Sequence, residues 1–187
     1  KKQNIEIQWS TDGDSLTSGV DSGQIEQVLT NLLVNAFQAM PQGGTVRLDV
    51  HSERAFRPYV ADAGPRDCVR IDVQDNGTGI SPDHLEQLFD PFFTTKDKGR
   101  GTGLGLASAY GIIKNHAGII TVNSQVGQGT RFDIYLPITD KKVYRELPIG
   151  TGLVKGSETI LLVEDEELVI QVGQYCISMM RSTNRTR

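Results

Sequence analysis

The chain has 187 residues, of which 37% are hydrophobic and 22% are charged, and its formal net charge is −4. This composition is typical of a soluble globular domain with an appendage. The negative balance disfavours a nucleic-acid-binding surface, although local basic patches remain open. Cys68 and Cys176 are far apart in the sequence, which indicates free thiols in a reducing compartment. No apolar run reaches membrane-spanning length and the opening KKQNIEIQWS lacks the core of a signal peptide, so we expect a cytoplasmic piece of a longer protein without direct membrane insertion.

The first half of the chain predicts a strand, a helix and two further strands. IEIQW has the alternation of a strand, and Asp21 with Gln24 makes a capping box ahead of an amphipathic helix. Pro41 and the two glycines that follow it end this helix. TVRLDV and CVRIDVQD indicate paired strands, and residues 51–67 show no clear period, which predicts an irregular excursion between them. The apolar stripe of the helix is predicted to contain Ile25, Val28, Leu29, Leu32, Leu33, Ala36 and Met40.

The second half predicts two helices and a hairpin. Ser81 and Pro82 start a short helix that runs through DHLEQLF. Residues 94–105, TTKDKGRGTGLG, are glycine-rich and basic, which indicates a mobile loop. LASAYGIIKNHA is then a helix, which Gly118 closes as a C-terminal cap. IITVNS and TRFDIYLP flank QVGQG and predict a β-hairpin.

The polar face of the first helix carries neutral amides and no charge. Its members follow one another at steps of three and four residues, and they are Gln24, Gln27, Asn31, Asn35 and Gln38. Such a face is either solvated or directed into a polar cavity. An amide oxygen can bind a hard cation such as Mg²⁺ without cancelling the charge that the cation needs for phosphates.

Two glycine-rich segments favour the cavity. DNGTGI places Asp75 at the end of a strand, where it could accept a hydrogen bond from the exocyclic amine of adenine, while Gly77 and Gly79 let the base lie against the backbone. The same D-N-G sequence is also a common turn. GTGLGL precedes a helix, so that its backbone N–H groups suit a di- or triphosphate. The dinucleotide pattern G-x-G-x-x-G and the P-loop pattern are both absent from the sequence.

Taken in order, these segments resemble the motif boxes of sensor histidine kinases. QIEQVLTNLLVNAFQAM is similar to their asparagine box, DNGTGI to the first glycine box, LFDPFFTTK to the phenylalanine box, GRGTGLGLA to the second glycine box, and VGQGTRFDIYLP to the closing hairpin. The resemblance covers residues 3–138. It implies the Bergerat fold shared with gyrase, MutL and chaperone ATPases. This is an α/β (α+β) two-layer sandwich with a mixed, mostly antiparallel sheet covered by helices on one face, and nucleotide is held between the helices and a flexible lid.

The resemblance implies that ATP and Mg²⁺ are the cofactors, and it assigns roles to individual residues. Asn35 matches the Mg²⁺-ligating asparagine, Asp75 the adenine reader, and Thr130 a threonine that supports the adenine site. The other residues implied to line the nucleotide site outside the lid are Asn31, Gln38, Gly77, Gly79, Ile80, Gly101, Thr102, Gly103, Leu104, Gly105 and Leu106.

The lid would supply the positive charge. Lys96, Lys98 and Arg100 can close over the phosphates, although a solvated loop would carry such charges as well. Lys96 and Arg100 are the catalytic candidates, and Lys96 is favoured because it follows the aromatic hinge directly. Phe92 and Phe93 form this hinge, with Phe93 expected against the nucleotide and ordinary core packing as the alternative.

Two positions depart from common family patterns. Gln38 stands where many relatives have lysine or arginine, so the lid and the metal must meet the phosphate charge. Asn31 stands where superfamily members that hydrolyse ATP have a glutamate that activates water. An amide cannot act as a general base, which suits an enzyme that holds ATP for another nucleophile.

That nucleophile would be a histidine on a dimerisation hairpin, expected upstream of this chain. His51, His84 and His116 do not fit the acceptor pattern, so we expect binding of Mg·ATP without self-phosphorylation. Two alternatives stay open: a nucleotide-binding module without phosphoryl transfer, and a hydrolytic ATPase, which Asn31 disfavours.

The tail carries a second resemblance. ETILLVEDEELV is similar to the first strand of a receiver domain, with Glu164 and Asp165 as its acidic pair, although an apolar strand with an acidic turn is the simpler alternative. The expected organisation is a catalytic domain at 1–139, a linker at 140–157 and a truncated receiver piece at 158–187. The implied parent is a hybrid histidine kinase whose partners are the histidine-containing dimerisation domain and a receiver domain or response regulator, with no nucleic acid.

Overall fold

Five strands form one sheet in the computed structural model, which describes residues 4–12, 17–55, 66–96 and 101–139. The strand order is β1-β2-β3-β5-β4; β1 and β2 are parallel, and all other neighbours are antiparallel. The sheet is therefore mixed and mostly antiparallel, as expected. The elements in chain order are β1 (Ile5–Thr11), α1 (Ser22–Ala39), β2 (Gly44–Ala55), β3 (Arg66–Asp75), α2 (Pro82–Leu85), α3 (Gly105–Asn115), β4 (Ile119–Gln125) and β5 (Gly129–Pro137).

The core lies between one face of the sheet and the two longer helices. Opposite residues of β3 and β5 pair in register on this face, for example Val73 with Phe132 and Ile71 with Ile134, and all four are buried. Helices α1 and α3 pack against each other and both contact the sheet. Since strand residues alternate between faces, the helices cover the apolar face and leave the polar face uncovered by them. This arrangement is the two-layer α/β sandwich that the family resemblance implies.

Helix α1 begins at an aspartate cap, as the sequence predicts. Asp21 Oδ1 accepts a hydrogen bond from the Gln24 N–H at 2.9 Å. Phe37 is buried although it lies outside the predicted stripe, because α1 contacts α3 as well as the sheet. Within the predicted stripe, Val28, Leu32, Ala36 and Met40 are buried, whereas Ile25, Leu29 and Leu33 are only half-buried.

The predicted irregular excursion at residues 51–67 is shorter than expected. Strand β2 continues to Ala55 and β3 begins at Arg66, so that only residues 56–65 lie outside the described strands. Ser52 and Arg54 occupy the positions that would face the core but are exposed. The apolar alternation of β2 therefore stops at Ser52, while its backbone pairing with β3 continues to Ala55.

Charged residues on the polar face of the sheet hold these strand extensions together. The Arg70 guanidinium pairs with Glu53 across β2 and β3, and it lies 2.7 Å from Asp72 Oδ1 and 2.9 Å from Asp133 Oδ1. Asp72 is buried, and burial raises its pKa although Arg70 and Arg131 favour the charged form. This network explains how polar residues form regular strands here.

Helix α2 is only four residues long, so the helix predicted through DHLEQLF is too long. Residues after Leu85 continue in turns whose hydrogen bonds join positions three apart, such as Leu88 N–H to Leu85 carbonyl oxygen at 3.4 Å. These tighter turns place Leu88 in the core and stack Phe89 on Tyr110, with ring centroids 5.1 Å apart.

The end of α3 differs from the predicted glycine cap. The Ala117 N–H donates to the Lys114 carbonyl and the Gly118 N–H to the Ile113 carbonyl, both at 2.9 Å, which is a Schellman motif. The left-handed residue in this motif is Ala117, at φ 54°, and not Gly118. Gly118 is required for another reason, since a Cβ there would lie 2.7 Å from the Tyr135 carbonyl oxygen.

Several predictions concern residues outside the described ranges. The linker at 140–157, the receiver-like segment at 158–187 with Glu164 and Asp165, and lid residues 97–100 all lie outside them. Cys68 is buried and its thiol donates a hydrogen bond to the Glu53 carbonyl oxygen at 2.9 Å, whereas Cys176 lies outside the described residues. Within the part of the chain that the structure describes, no helix is long and apolar enough to cross a lipid bilayer.

Replacing Ala117 by glycine should stabilise the domain. Glycine removes the steric cost of a left-handed Cβ, and we expect the free energy of unfolding to rise by about 0.5–1 kcal/mol, measured by urea denaturation. Gly118→Ala is the matched variant and should destabilise the domain, because its Cβ meets the Tyr135 carbonyl. A loss of stability in Ala117→Gly would contradict the assignment of the left-handed position.

Candidate functional site

The amide face of α1 holds a cation at its C-terminal half. The Lys96 ammonium donates to Asn35 Oδ1 at 3.1 Å and also to Gln38 Oε1. These two amides lie three residues apart on α1, so one positive group reaches both. Gln24 and Gln27, at the other end of the face, are exposed. The amide row is therefore divided between a solvated part and a part that meets the lid.

Asn31 connects α1 to the start of α3. Its Nδ2 donates to the Gly105 carbonyl oxygen at 3.1 Å. A carbonyl can only accept a hydrogen bond, so this contact needs a donor, which asparagine has and an ionised glutamate lacks. Asn31 thus has a structural role here besides the absence of a general base.

The N-terminus of α3 has the properties of an anion site. Leu104 is the N-cap residue, and its side chain makes no capping hydrogen bond. The first turn contains no acidic residue, and the first amide N–H groups of a helix have no partner within the helix. Unpaired N–H groups and the helix dipole together attract negative charge.

Asp75 is buried at the end of β3. Its Oδ1 accepts hydrogen bonds from the Gly77 N–H at 2.8 Å and from the Thr130 N–H at 3.3 Å. Burial raises the pKa of the Asp75 carboxyl, while these two amides favour its charged form. Among the described residues, no hydrogen bond to Asp75 Oδ2 is found, so this oxygen has acceptor capacity for a ligand.

Gly77 and Gly79 are explained by contacts within the protein. A Cβ on Gly77 would lie 2.7 Å from the Ala39 carbonyl oxygen at the end of α1, and a Cβ on Gly79, at φ 69°, would overlap the Gln125 carbonyl. Between these glycines, the Thr78 N–H donates to the Ala39 carbonyl oxygen at 3.0 Å, and the Thr78 carbonyl oxygen accepts from the Gly127 N–H at 2.8 Å. The contacts of Gly77 and Gly79 are a structural requirement for glycine, and the predicted place of a base against the same backbone stays a prediction. The two glycines let the loop sit between α1 and the hairpin.

Ser124 is a residue of this region that the sequence analysis missed. Its Oγ lies 2.8 Å from the Ile80 N, 2.9 Å from the Gly129 carbonyl oxygen and 3.0 Å from Thr130 Oγ1. One signal was available in the sequence. Ile120 and Val122 precede Ser124 at alternate positions of β4, so a hydroxyl stands where the pattern calls for an apolar side chain.

The two ends of the lid meet. The Phe92 N–H donates to the Gly103 carbonyl at 2.9 Å; Gly103 is at φ 66°, and a Cβ there would overlap the Phe92 backbone. Phe92 is 73% exposed, so core packing is excluded for it, and Phe93 packs on His84 with ring centroids 5.7 Å apart. A Cβ on Gly101 would come within 3.0 Å of the Lys96 side chain.

The structure brings the predicted residues together in groups along α1. Asn31 meets Gly105, Asn35 and Gln38 meet Lys96, and the end of the helix meets the loop that follows Asp75. Thr102, Leu104 and Leu106 lie beside these groups on the second glycine segment; the Leu104 N–H donates to Thr102 Oγ1 at 3.4 Å, Leu104 is exposed and Leu106 is half-buried. Lys98 and Arg100 lie outside the described residues, so their predicted roles are untested.

Asn31→Asp should destabilise the domain. The variant replaces the Nδ2 donor by an oxygen that faces the Gly105 carbonyl, and we expect the free energy of unfolding to fall by about 1–3 kcal/mol. Urea denaturation above pH 7 measures the effect. Gln27→Glu, on the exposed part of the same face, is the control and should leave stability nearly unchanged. Equal stability of both variants would mean that the Asn31 contact contributes nothing.

Comparison with known proteins identifies the family. The family of histidine kinase-, DNA gyrase B- and HSP90-like ATPases matches residues 20–140. Sensor kinase CckA of Brucella abortus is 42% identical over 183 residues, which cover 91% of this chain and 19% of CckA. Sensor histidine kinase ZraS of Escherichia coli strain K12 is 40% identical over 118 residues, 63% of this chain and 22% of ZraS. The chain thus spans about a fifth of the length of these curated relatives.

Solved structures agree with this assignment. The catalytic domain of histidine kinase ThkA, in a nucleotide-free form, has a TM-score of 0.57 and 32% identity, over 72% of this chain and 79% of that one. Full-length ShkA in complex with AMPPNP also has a TM-score of 0.57, with 31% identity, over 72% of this chain and 26% of ShkA. The chain therefore belongs to the family of histidine kinase-, DNA gyrase B- and HSP90-like ATPases, and residues 20–140 are a catalytic domain of the histidine kinase type.

Proposed function

We propose that this chain binds Mg·ATP and donates the γ-phosphoryl group to a histidine on a dimerisation hairpin of its parent protein, a hybrid sensor histidine kinase of two-component signalling in the cytoplasm. The observation that carries this proposal is the contact of the Lys96 ammonium with the amide oxygens of Asn35 and Gln38. One turn earlier on the same helix, Asn31 reaches the start of α3. The metal ligand, the lid cation and the anion site would then lie along one face of α1.

The residues at this position fit Mg²⁺. Magnesium prefers oxygen ligands and usually takes one or two from protein and the rest from phosphates and water. Asn35 Oδ1 is such an oxygen, and in this structure it already faces a positive group, the Lys96 ammonium. Mg²⁺ would neutralise phosphate charge when bound. Among the described residues there is no cluster of histidine, cysteine and carboxylate side chains that could hold a metal without phosphate.

Phosphate binding would combine α3 and the lid. The first N–H groups of α3 have no partner within the helix and would suit the phosphate oxygens, and residues Gly101 to Leu106 would line the phosphates. Lys96 lies against Gln38, the position where many relatives have lysine or arginine. The lid can therefore supply the positive charge that is missing from α1. Lys98 and Arg100 would add to it, and the developing charge in transfer would fall on these cations.

Adenine binding would depend on Asp75 Oδ2. With Oδ1 occupied by the Gly77 and Thr130 amides, the carboxylate orientation is fixed and its second oxygen can accept from an exocyclic amine. Ile80 and Phe93 would supply apolar contact. ShkA, one of the similar structures, is in complex with the nucleotide analogue AMPPNP, which supports nucleotide binding in the same fold.

The phosphoryl acceptor would be outside this chain. His51 lies 3.7 and 3.8 Å from carboxylate oxygens on the polar sheet face, and His84 packs on the Phe93 ring. His116 Nε2 accepts from the Asp21 N–H at 3.1 Å at the start of α1. Each histidine thus has a structural partner, which supports an acceptor on the dimerisation hairpin. Asn31 in place of a catalytic glutamate supports transfer to this histidine over hydrolysis.

The tail would begin a receiver domain. The alignment with CckA covers 91% of the chain, whereas residues 1–139 make up 139 of 187, about 74%. The similarity to a sensor kinase therefore extends into residues 140–187, where the proposed linker at 140–157 and receiver piece at 158–187 would lie. A receiver domain or response regulator would then be the downstream partner.

Asp75→Asn should weaken ATP binding without destabilising the domain. Asparagine can still accept the two amides through Oδ1 but presents a donor in place of Oδ2, so we expect ATP affinity to fall by at least about tenfold. Because burial raises the Asp75 pKa, ionisation of the wild-type residue costs stability at pH values above this pKa. The variant should therefore be equally or more stable at pH 7, and this difference should vanish on acidification. Isothermal calorimetry and thermal unfolding across pH measure both effects.

The same shift predicts how binding depends on pH. ATP requires the charged carboxylate, so wild-type affinity should fall as pH is lowered through the raised Asp75 pKa, at a higher pH than an ordinary aspartate would give. If Asp75→Asn lost stability but kept full ATP affinity, Asp75 would be a structural residue and not the residue that binds adenine.

Phosphoryl transfer is tested by mixing the chain with a histidine-containing hairpin from a sensor kinase and γ-labelled ATP. We expect acid-labile label on the hairpin and none on the chain.

Two variants test the proposed roles on α1 and the lid. Asn35→Ala should remove the Mg²⁺ dependence of nucleotide binding, and Lys96→Met should slow transfer by about a hundredfold. Lys114→Met removes the same charge at the far end of α3, where the ammonium lies over Tyr110, and should leave transfer unchanged. ATP binding without label on any hairpin would favour the nucleotide-binding module, and steady ATP hydrolysis would favour the ATPase.

A further inference from the structure

We propose that Ser124 is a positioning residue that fixes the Thr130 hydroxyl as a hydrogen-bond acceptor and thereby makes the base site selective for a 6-amino purine over a 6-oxo purine. The inference rests on the proposed function, since it concerns the base of the bound nucleotide. It follows from the three polar contacts of one hydroxyl group, which has one proton to share among them.

The proton positions follow from the partners. The Ile80 N–H can only donate, so Ser124 Oγ accepts from it at 2.8 Å. The Gly129 carbonyl can only accept, so the Ser124 proton points to that oxygen at 2.9 Å. The contact with Thr130 Oγ1, at 3.0 Å, then requires Thr130 to be the donor. The hydroxyl proton of Thr130 is therefore engaged by Ser124 Oγ, and the Thr130 hydroxyl can only accept hydrogen bonds from a ligand.

The Thr130 hydroxyl belongs to the residue that faces Asp75. The two are directly paired between β3 and β5, both are buried, and the Thr130 N–H donates to Asp75 Oδ1. Two hydrogen-bond acceptors therefore stand side by side. A 6-amino group can donate to them, or to a water molecule held between them, whereas a 6-oxo group can only accept and would meet unpaired lone pairs.

Ser124 also has a purely structural effect, which the test must separate. Its contact with the Ile80 N–H fastens the loop after Asp75 to the hairpin, so Ser124→Ala will lower stability and overall affinity. Loss of this contact should lower the affinity for every nucleotide by the same factor. Only the orientation of the Thr130 hydroxyl distinguishes one base from another, so the ratio of two affinities is the informative measurement.

The experiment compares ATP with ITP by calorimetry on the 187-residue chain. ITP carries a 6-oxo group in place of the 6-amino group. We expect Ser124→Ala to reduce the preference for ATP by about threefold to tenfold, because the released Thr130 proton can then donate to the 6-oxo group. Ser124→Thr keeps a hydroxyl and should restore the preference. Thr121→Ala removes a hydroxyl from an exposed position of the same strand and should not change it.

A double-mutant cycle tests whether Ser124 acts through Thr130. Thr130→Val removes the hydroxyl with little change of shape and should itself reduce the preference; adding Ser124→Ala should change the ratio no further. An unchanged ratio in Ser124→Ala alone, or a further change when it is added to Thr130→Val, overturns the proposal. If Ser124→Ala does not fold, Thr130→Val decides alone, and full preference in that variant refutes it. A wild-type chain that binds neither nucleotide overturns the proposed function itself.

Discussion

The domain depends on the placement of one helix, α1. Its buried residues Val28, Leu32 and Ala36 fix it against the sheet and α3, and its other side carries the amides that meet Lys96 and Gly105. Its last carbonyl, that of Ala39, accepts from the Thr78 N–H at 3.0 Å and seats the loop after Asp75. Core packing and site geometry are thus set by the same rigid element. A core substitution that rotates α1 would move Asn31, Asn35 and the loop after Asp75 together.

Features with a local cause could be predicted from the sequence. The helix α1, its aspartate cap and the β4–β5 hairpin follow from periodicity and turn residues, and the order of the motif boxes predicted the fold. Features that depend on distant partners could not. Strand β2 continues past Val50 because its polar residues pair with β3, and Gly118 is required after α3 because the Tyr135 carbonyl oxygen lies close to it.

In the candidate site, too, contacts between distant residues could not be predicted from the sequence. Motif matching predicts roles for Asn35 and Asp75, but the contact of Lys96 with α1 joins residues some sixty positions apart, which no local spacing predicts. The sequence also does not show that Gly77 and Gly79 approach the carbonyls of Ala39 and Gln125, because these contacts form only in the folded domain. The role of Ser124 requires three partners that only the folded hairpin assembles. Residue types indicate the chemistry, and tertiary contacts decide which atoms remain available for it.

The contact between Lys96 and Asn35 has a thermodynamic consequence. If Mg²⁺ binds Asn35 Oδ1, the ammonium and the metal compete for one oxygen, so the position of the lid and the affinity for metal are linked functions. Anything that draws Lys96 towards phosphate raises metal affinity, and bound metal in turn favours the displaced lid by the same free energy. Nucleotide and metal would then bind with positive cooperativity, through a lysine that exchanges an amide partner for a phosphate partner.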